Sequence, residues 1–132
     1  MGYNRKDYMK IYNQLPKVKQ QKREWKKKHI HTPEYLFNRR RNQEQCKMDC
    51  FFIYSDGYMK CKKCGYENIS ALTLDHINND GAKERKQFKL AGYGSTFFRY
   101  LKQNNFPDGY QVLCRNCNWE KHLEYIDSKR GD

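Results

Sequence analysis

The sequence predicts an α+β domain preceded by a basic helical arm. Short apolar runs of strand character, Leu72–His76 and Tyr110–Leu113, alternate with helix-forming segments in the second part of the chain. The first part reads as helical throughout and carries most of the positive charge. With 37% hydrophobic residues and a mean hydropathy of -1.20, the 132-residue chain can build only a thin core.

Charge divides the chain into two parts. Residues 1–47 hold 14 Lys and Arg against 4 Asp and Glu, a net charge of +10. Residues 48–132 hold 13 against 11, which leaves +2 of the total +12. We therefore predict a basic arm over residues 1–47 and a nearly neutral body over residues 48–132. Such an excess favours a polyanionic partner.

The arm is predicted to form three short helices, roughly over residues 4–14, 17–30 and 34–45. Pro16 and Pro33 suit first helical turns, where the missing N–H has no intrahelical partner to lose. Thr32 is a suitable N-cap for the third helix. Tyr8, Tyr12 and Trp25 could stack on bases, but packing between the helices is the expected use.

The arm's basic side chains are predicted to bind phosphates. The alternative is a highly charged, solvated helix surface, but a threefold excess of positive charge is more than solubility requires. Phosphate contacts would add affinity and strong salt dependence with little sequence information. The densest clusters are Lys26, Lys27, Lys28, Arg39, Arg40 and Arg41.

The sequence predicts a protein of the cytoplasm. It contains no run approaching the roughly 18 apolar residues of a membrane span, and its basic start lacks the apolar stretch of a signal peptide. We therefore expect no membrane partner and an intracellular location, in a host cell if the protein is phage-encoded.

Two paired-cysteine turns predict a zinc site. Cys61-Lys62-Lys63-Cys64 and Cys114-Arg115-Asn116-Cys117 can place four thiolates in a tetrahedron around one ion. Four protein ligands leave no open position, so this zinc would be structural and would supplement the thin core. The first turn is predicted to follow a β-hairpin of residues 51–54 and 58–60. Cys46 and Cys50 are interpreted as structural or incidental.

A second group of polar residues has the composition of a catalytic metal site. Asp75 and His76 end the first apolar run, where adjacent side chains point to opposite sides of a strand. Asn118 follows the second cysteine turn, and His122 lies one helical turn later. A strand, a second strand and a helix could bring these residues around one pocket that holds a divalent ion against a phosphodiester.

These residues resemble the HNH endonuclease family. The resemblance rests on Asp75-His76-Ile77, Gln111-Val112-Leu113-Cys114, Cys117-Asn118 and Lys121, and covers roughly residues 58–125. It implies a ββα-metal finger in which Asp75 and Asn118 coordinate a catalytic divalent ion such as Mg²⁺. His76 would be the general base, and His122 stands where colicin-type members carry a further ligand.

The resemblance implies a metal-dependent endonuclease that cleaves double-stranded DNA, of a homing or phage-associated kind. One finger cleaves one strand at a time, so a homodimer is one route to double-strand cleavage. The alternative is a non-catalytic zinc-bound module that binds nucleic acid. Basic charge and zinc fit both, but only the nuclease requires Asp75, His76 and Asn118 together.

Two features of the intervening segment, residues 77–109, bear on the site. The family's middle Asn stands nine residues before the helix ligand, where this chain has Gly109; Asp108, Asn104 or Asn105 could substitute for it from the same loop. A helix is predicted over residues 96–104. Arg85 or Lys86 is expected to face the scissile strand, although a plain solvated loop is an equal alternative.

Overall fold

The computed structural model describes residues 4–88 and 94–131. Over these residues, six helices and two strands occur in the order α1 (Arg5–Gln14), α2 (Pro16–His29), α3 (Pro33–Tyr54), β1 (Leu72–His76), α4 (Gly81–Phe88), α5 (Ser95–Gln103), β2 (Tyr110–Cys114) and α6 (Arg115–Arg130). A single 3₁₀ turn, Ile69–Ala71, precedes β1. Among these described residues, no helix combines the length and apolar character needed to cross a membrane. The combination of helices with an antiparallel pair of strands confirms the α+β class.

The chain forms two compact units, Met1–Arg41 and Asn42–Asp132. In the first unit, Asn4 caps α1 by accepting a hydrogen bond from the N–H of Lys6 at 3.0 Å. Pro16 occupies the first turn of α2, and Thr32 Oγ1 accepts from the N–H of Tyr35 at 3.3 Å. These local signals set the helix starts as the sequence predicts.

The second unit is built on an antiparallel pair of strands. Leu72 lies opposite Cys114, and His76 lies opposite Tyr110. Strand β2 runs directly into α6, so one strand end supplies both a cysteine and the helix start. The core against this sheet contains the buried side chains of Phe51, Leu72, Val112, Leu113 and three of the cysteines.

The predicted β-hairpin at residues 51–54 and 58–60 is wrong, because α3 continues to Tyr54. Cys50 and Phe51 are fully buried, whereas Ile53, which a strand would bury with Phe51, is 45% exposed. Gly57, with φ +80°, donates its N–H to the carbonyl of Phe52 at 2.8 Å. It therefore ends a helix in left-handed conformation instead of joining two strands.

The segment between the strands contains two helices where the sequence predicted one. Helix α5 begins at Ser95 and buries Phe97 and Leu101, close to the predicted range of 96–104. Helix α4, Gly81–Phe88, was not predicted, because its basic stretch lacks an apolar period. It places an acidic side chain, Glu84, beside β1.

Candidate metal centre and candidate active site

The four cysteines Cys61, Cys64, Cys114 and Cys117 converge on one point, and we call them the cysteine cluster. Their Sγ atoms all lie within 4.8 Å of one another. The first pair lies in a turn whose Gly65 N–H donates to the carbonyl of Cys61 at 2.9 Å. The N–H of Lys62 donates to the carbonyl of Val112 at 2.9 Å, which joins this turn to β2. The second pair spans the end of β2 and the first turn of α6.

The spacing within the cysteine cluster suits a tetrahedral metal ion. Zinc–sulfur bonds of about 2.3 Å give a tetrahedron with sulfur-to-sulfur edges of about 3.8 Å. The Sγ atoms of Cys64 and Cys114 lie 3.7 Å apart. Cys61, Cys114 and Cys117 are buried and Cys64 is exposed. The cluster could therefore hold a metal ion such as zinc, as the paired turns predicted.

Charge within the cysteine cluster favours a bound cation. Burial raises the pKa of the Cys61 thiol, but hydrogen bonds from the backbone of Cys114, Cys64 and Lys63 outweigh it and lower that pKa to about 6. Burial and the neighbouring sulfurs both raise the pKa of Cys117. One thiolate thus opposes ionisation of the others, and a cation at the centre would remove that repulsion.

Cys46 and Cys50 lie one turn apart on α3. Within the described residues they belong to no group of converging metal ligands. Cys50 is fully buried, and its thiol donates to the carbonyl of Phe98 at 3.5 Å. Burial raises its pKa to about 12, so it remains a neutral core side chain at ordinary pH.

Asp75 is a buried carboxylate, 8% exposed, held from two elements. Its cross-strand neighbour Gln111 donates from Nε2 to Oδ2 at 2.7 Å, and Lys121 of α6 donates from Nζ to the same oxygen at 2.6 Å. Lys121 also donates to the carbonyl of His76 at 2.5 Å. A buried charge requires partners of this kind.

His76 points to the other side of β1, as strand alternation predicted. Its Nε2 contacts a carboxylate oxygen of Glu84 on α4. The imidazole lies against two aromatic rings, with its centroid 5.0 Å from Tyr110 and 5.8 Å from Phe97. Gly81 closes another edge, since a Cβ there would lie 3.0 Å from Nδ1 and Cε1. The ring is therefore fixed by packing as well as by a carboxylate.

Asn118 lies in the first turns of α6 and is anchored to β1. Its Nδ2 donates to Thr73 Oγ1 at 2.8 Å, and Thr73 Oγ1 donates to the carbonyl of Leu113 at 3.0 Å. If the amide nitrogen is held in this way, the amide oxygen is the end of the side chain that can coordinate a cation. The side chain is partly buried.

The predicted site residues meet in a cavity of about 820 Å³, which we call the polar cavity. Asp75, His76, Asn118 and His122 all line it. Its wall also includes Arg85, Arg115 and Trp119, and Trp119 is 61% exposed. Lys86 is exposed but does not line this cavity. Sequence spacing thus located four wall residues and one of the two basic candidates.

Gly109 stands where the resemblance to the HNH family leads one to expect an Asn, and its backbone conformation accounts for a glycine at this position. Its φ of +112° lies where an L side chain is strained. Its carbonyl accepts from the N–H of Ile77 at 3.0 Å, which joins the loop to the end of β1. Of the three proposed replacements, Asn104 donates to the carbonyl of Tyr100 at 2.8 Å. Asp108 shares a cavity of about 300 Å³ with His76.

Glu84 is the site residue that sequence reasoning missed. Both oxygens of its carboxylate are engaged, one by His76 Nε2 and the other by the hydroxyl of Tyr110. Its side chain is 14% exposed and that of His76 is 15% exposed. A signal for it exists in the sequence, because Glu84 is the sole acidic residue between Asp80 and Asp108.

The basic clusters of the arm are exposed along their helices. Lys26, Lys27 and Lys28 lie in the last turn of α2, where positive charge also suits the helix dipole. Arg39, Arg40 and Arg41 follow on α3 and are exposed as well. Trp25 stacks on His29 at 4.4 Å between ring centroids, so packing within the arm accounts for part of this aromatic surface.

Comparisons with protein-family models, with curated proteins and with solved structures found no match for this chain.

Proposed function

We propose that this protein is a metal-dependent DNA endonuclease of the HNH type. The observation that supports it most is the polar cavity, in which Asp75, His76 and Asn118 meet beside two arginines. The same strand–strand–helix unit carries half of the cysteine cluster, so a structural zinc would brace the elements that position these side chains. The surplus of positive charge supports a nucleic-acid substrate.

The donor atoms fit a hard divalent cation such as Mg²⁺, which prefers oxygen ligands. Both hydrogen bonds to the Asp75 carboxylate within the described residues use Oδ2, so Oδ1 is the oxygen suited to a cation. Asn118 would present its amide oxygen, because its nitrogen donates to Thr73. His122 is a further candidate on the same wall.

The proposed reaction is hydrolysis of a phosphodiester. His76 takes a proton from water as the water oxygen attacks phosphorus in line, and the bond between phosphorus and the 3′ oxygen breaks. The leaving 3′ oxygen takes up a proton from solvent, which leaves 5′-phosphate and 3′-hydroxyl ends. The divalent ion, when bound, supplies neutralisation of charge on the phosphate and on the leaving oxygen. Arg85 and Arg115 would hold the phosphate.

Cleavage of a supercoiled plasmid tests this proposal. Zinc-loaded protein with Mg²⁺ should nick the plasmid, and Asp75→Ala and Asn118→Ala should each lose at least about 100-fold in rate. His31→Ala, which removes an imidazole from the arm, is the control and should cleave normally. Absence of cleavage by the wild type with Mg²⁺, Mn²⁺ and other divalent ions over a range of salt would contradict the proposal.

A non-catalytic zinc-bound module that binds nucleic acid is the second candidate. The ion pair between Asp75 and Lys121, 2.6 Å long, favours it, because the ammonium already neutralises the carboxylate charge that would attract a catalytic cation. This candidate predicts DNA binding without cleavage, and unchanged binding in Asp75→Ala. The nuclease predicts cleavage that requires Asp75.

The arm is proposed to bind the DNA backbone. Replacing Lys26, Lys27 and Lys28 together by Ala should reduce the slope of log affinity against log salt by about 2 to 3, since each phosphate contact contributes about 0.9. Gln20→Ala with Gln21→Ala, on the same helix, is the neutral control. An unchanged slope in the lysine variant would assign phosphate binding to other parts of the chain.

A further inference from the structure

We infer that the DNA strand bound by this protein is unpaired where it meets the polar cavity, and that Trp119 of α6 stacks on one of its bases. The inference rests on the proposed function for cleavage of that strand, whereas the binding it predicts needs no cleavage. Three aromatic side chains of α6 line the polar cavity: Trp119, His122 and Tyr125. All three are exposed, so they add little to the core.

Trp119 presents the largest aromatic surface of this group. It is 61% exposed, and its ring centroid lies 5.4 Å from that of His122, with the two ring planes tilted by 39°. The imidazole therefore supports the indole, while most of the indole remains open to solvent. Isolated exposed aromatic residues are common on protein surfaces, so the surroundings of Trp119 decide what it contacts.

Positive charge surrounds this aromatic wall. Lys47, Arg85 and Arg115 line the same cavity. Asp75 is the sole acidic side chain among the described residues that line it, and Lys121 already pairs with its carboxylate. An uncharged partner would have to remove water from these cations without compensation, whereas a nucleic-acid strand offers phosphates to the cations and bases to the rings. The charge therefore favours a polyanion that also carries aromatic groups.

The spacing along α6 places a cation next to the indole. Arg115 and Trp119 are four residues apart, so their Cβ atoms lie about 5 to 6 Å from each other on one face of the helix. Both side chains are exposed. A guanidinium on a phosphate and an indole on the adjoining base can therefore contact one strand at successive points.

Stacking of this kind requires a base whose face is accessible. In a duplex, neighbouring base pairs cover both faces of each base, and only the base edges are open to the grooves. In a single strand, or at a locally unpaired site, the faces can lie on aromatic side chains. The substrate class is therefore DNA with unpaired bases at the site, such as a single strand or a loop.

Fluorescence of Trp119 in the full-length, zinc-loaded protein tests this inference without requiring activity. The chain has two tryptophans, so Trp25→Phe leaves Trp119 as the sole reporter. In the absence of Mg²⁺, binding of a single-stranded oligothymidine should quench this fluorescence, because the base lies on the indole. A duplex of the same length should change it little.

Substitution of Trp119 measures how much the stacking contributes to affinity. Trp119→Ala should weaken single-strand binding about 10- to 100-fold and leave duplex binding unchanged, since stacking on one base has effects of this size. Trp119→Phe keeps an aromatic ring and should retain most of the single-strand affinity. Tyr58→Ala is the control, because Tyr58 is 69% exposed but lines a different cavity of the same unit. Anisotropy of labelled oligonucleotides at fixed salt measures these affinities.

The outcomes separate this inference from the proposed function. Equal losses on single strand and duplex in Trp119→Ala, or no loss on either, would overturn the inference. So would a wild type that self-associates and becomes monomeric in Trp119→Ala, because a second copy would then cover the indole. Single-strand binding through Trp119 in a protein that cleaves no DNA would overturn the nuclease and leave the stacking assignment in place. Zinc content and thermal stability equal to wild type would show that each variant is folded.

Discussion

The cysteine cluster and the polar cavity use polar side chains in opposite ways. In the cysteine cluster, four sulfurs lie within 4.8 Å of one another and point at a common centre. In the polar cavity, three of the four predicted residues are held by another protein group: Asp75 by Lys121, His76 by Glu84, and Asn118 by Thr73. The first arrangement could hold a metal ion such as zinc, whereas these three side chains of the second have hydrogen-bond partners within the protein.

The largest difference should appear on metal removal. Chelating zinc, or replacing Cys117 by Ser, should unfold the body, because structural zinc in small domains supplies on the order of 10 kcal/mol. Circular dichroism and zinc content measure the effect. Cys46→Ser, which changes a cysteine outside the cluster, should keep both the fold and the zinc. If the body stays folded without metal, the prediction that the cysteine cluster depends on a bound ion is wrong.

Among the contacts that hold the polar-cavity residues, the largest effect on stability should come from Lys121→Met. The side chain of Asp75 is 9% exposed, and this substitution leaves its carboxylate without the neighbouring ammonium. The unfolding free energy should fall by about 3 to 5 kcal/mol. Chemical denaturation measures the loss. Adding Asp75→Asn to Lys121→Met should recover most of it, and Lys129→Met on the exposed part of α6 is the control. A loss no larger than in the control would mean that solvent already compensates Asp75.

Gly81→Ala should damage activity more than stability. The new Cβ would lie 3.0 Å from His76 Cε1 and Nδ1, so the ring has to move by a few tenths of an ångström. We expect cleavage to fall about 10- to 100-fold, since small misplacements of catalytic groups have effects of this size. Gly131→Ala is the control, because its new Cβ would lie 3.8 Å from the carbonyl oxygen of Asp127, an ordinary contact distance. Normal cleavage by Gly81→Ala would show that the position of the ring does not limit the rate.

The smallest effect should come from a charge pair remote from both sites. Lys102 Nζ lies 2.5 Å from Asp49 Oδ2, and this hydrogen bond lowers the pKa of Asp49 and raises that of Lys102. The stability from the lowered Asp49 pKa is present above its unfolded value of about 3.8 and is lost as pH falls through the folded value. The stability from Lys102 is present below its unfolded value of about 10.5 and is lost as pH rises through the folded one.

Lys102→Met should therefore make the slope of the unfolding free energy against pH smaller at acid and at alkaline pH. Near neutral pH that slope should stay nearly unchanged. Thermal denaturation across the pH range measures this. Lys62→Met, at an exposed lysine near the cysteine cluster, gives the reference slope. An identical pH profile in Lys102→Met and the wild type would show that solvent screens the pair completely.

The sequence predicted features whose cause is local. Pro16 sets a helix start through its fixed backbone geometry, and Thr32 sets another through its side-chain hydroxyl. The convergence of two Cys-x-x-Cys turns can likewise be predicted without knowledge of the rest of the fold. The hairpin prediction failed at residues 51–54, because burial of Cys50 and Phe51 by distant residues decided between helix and strand. Local pattern alone does not contain that information.

The partners that hold the polar-cavity residues were harder to predict for the same reason. Glu84 is eight residues from His76 and reaches it only because α4 folds back on β1. Lys121 belonged to the family resemblance, but nothing in its spacing indicated an ion pair with Asp75. Spacing therefore predicted which residues line the polar cavity, whereas the contacts that hold them depend on the tertiary fold.

Plasmid cleavage by His76→Ala at full zinc occupancy is the most direct test of the central claim, that the cysteine cluster holds the scaffold while the polar cavity performs the chemistry. The variant should bind zinc and unfold at the wild-type temperature, yet cleave at least about 100-fold more slowly with Mg²⁺. Undiminished cleavage by the folded, zinc-loaded variant would contradict the claim.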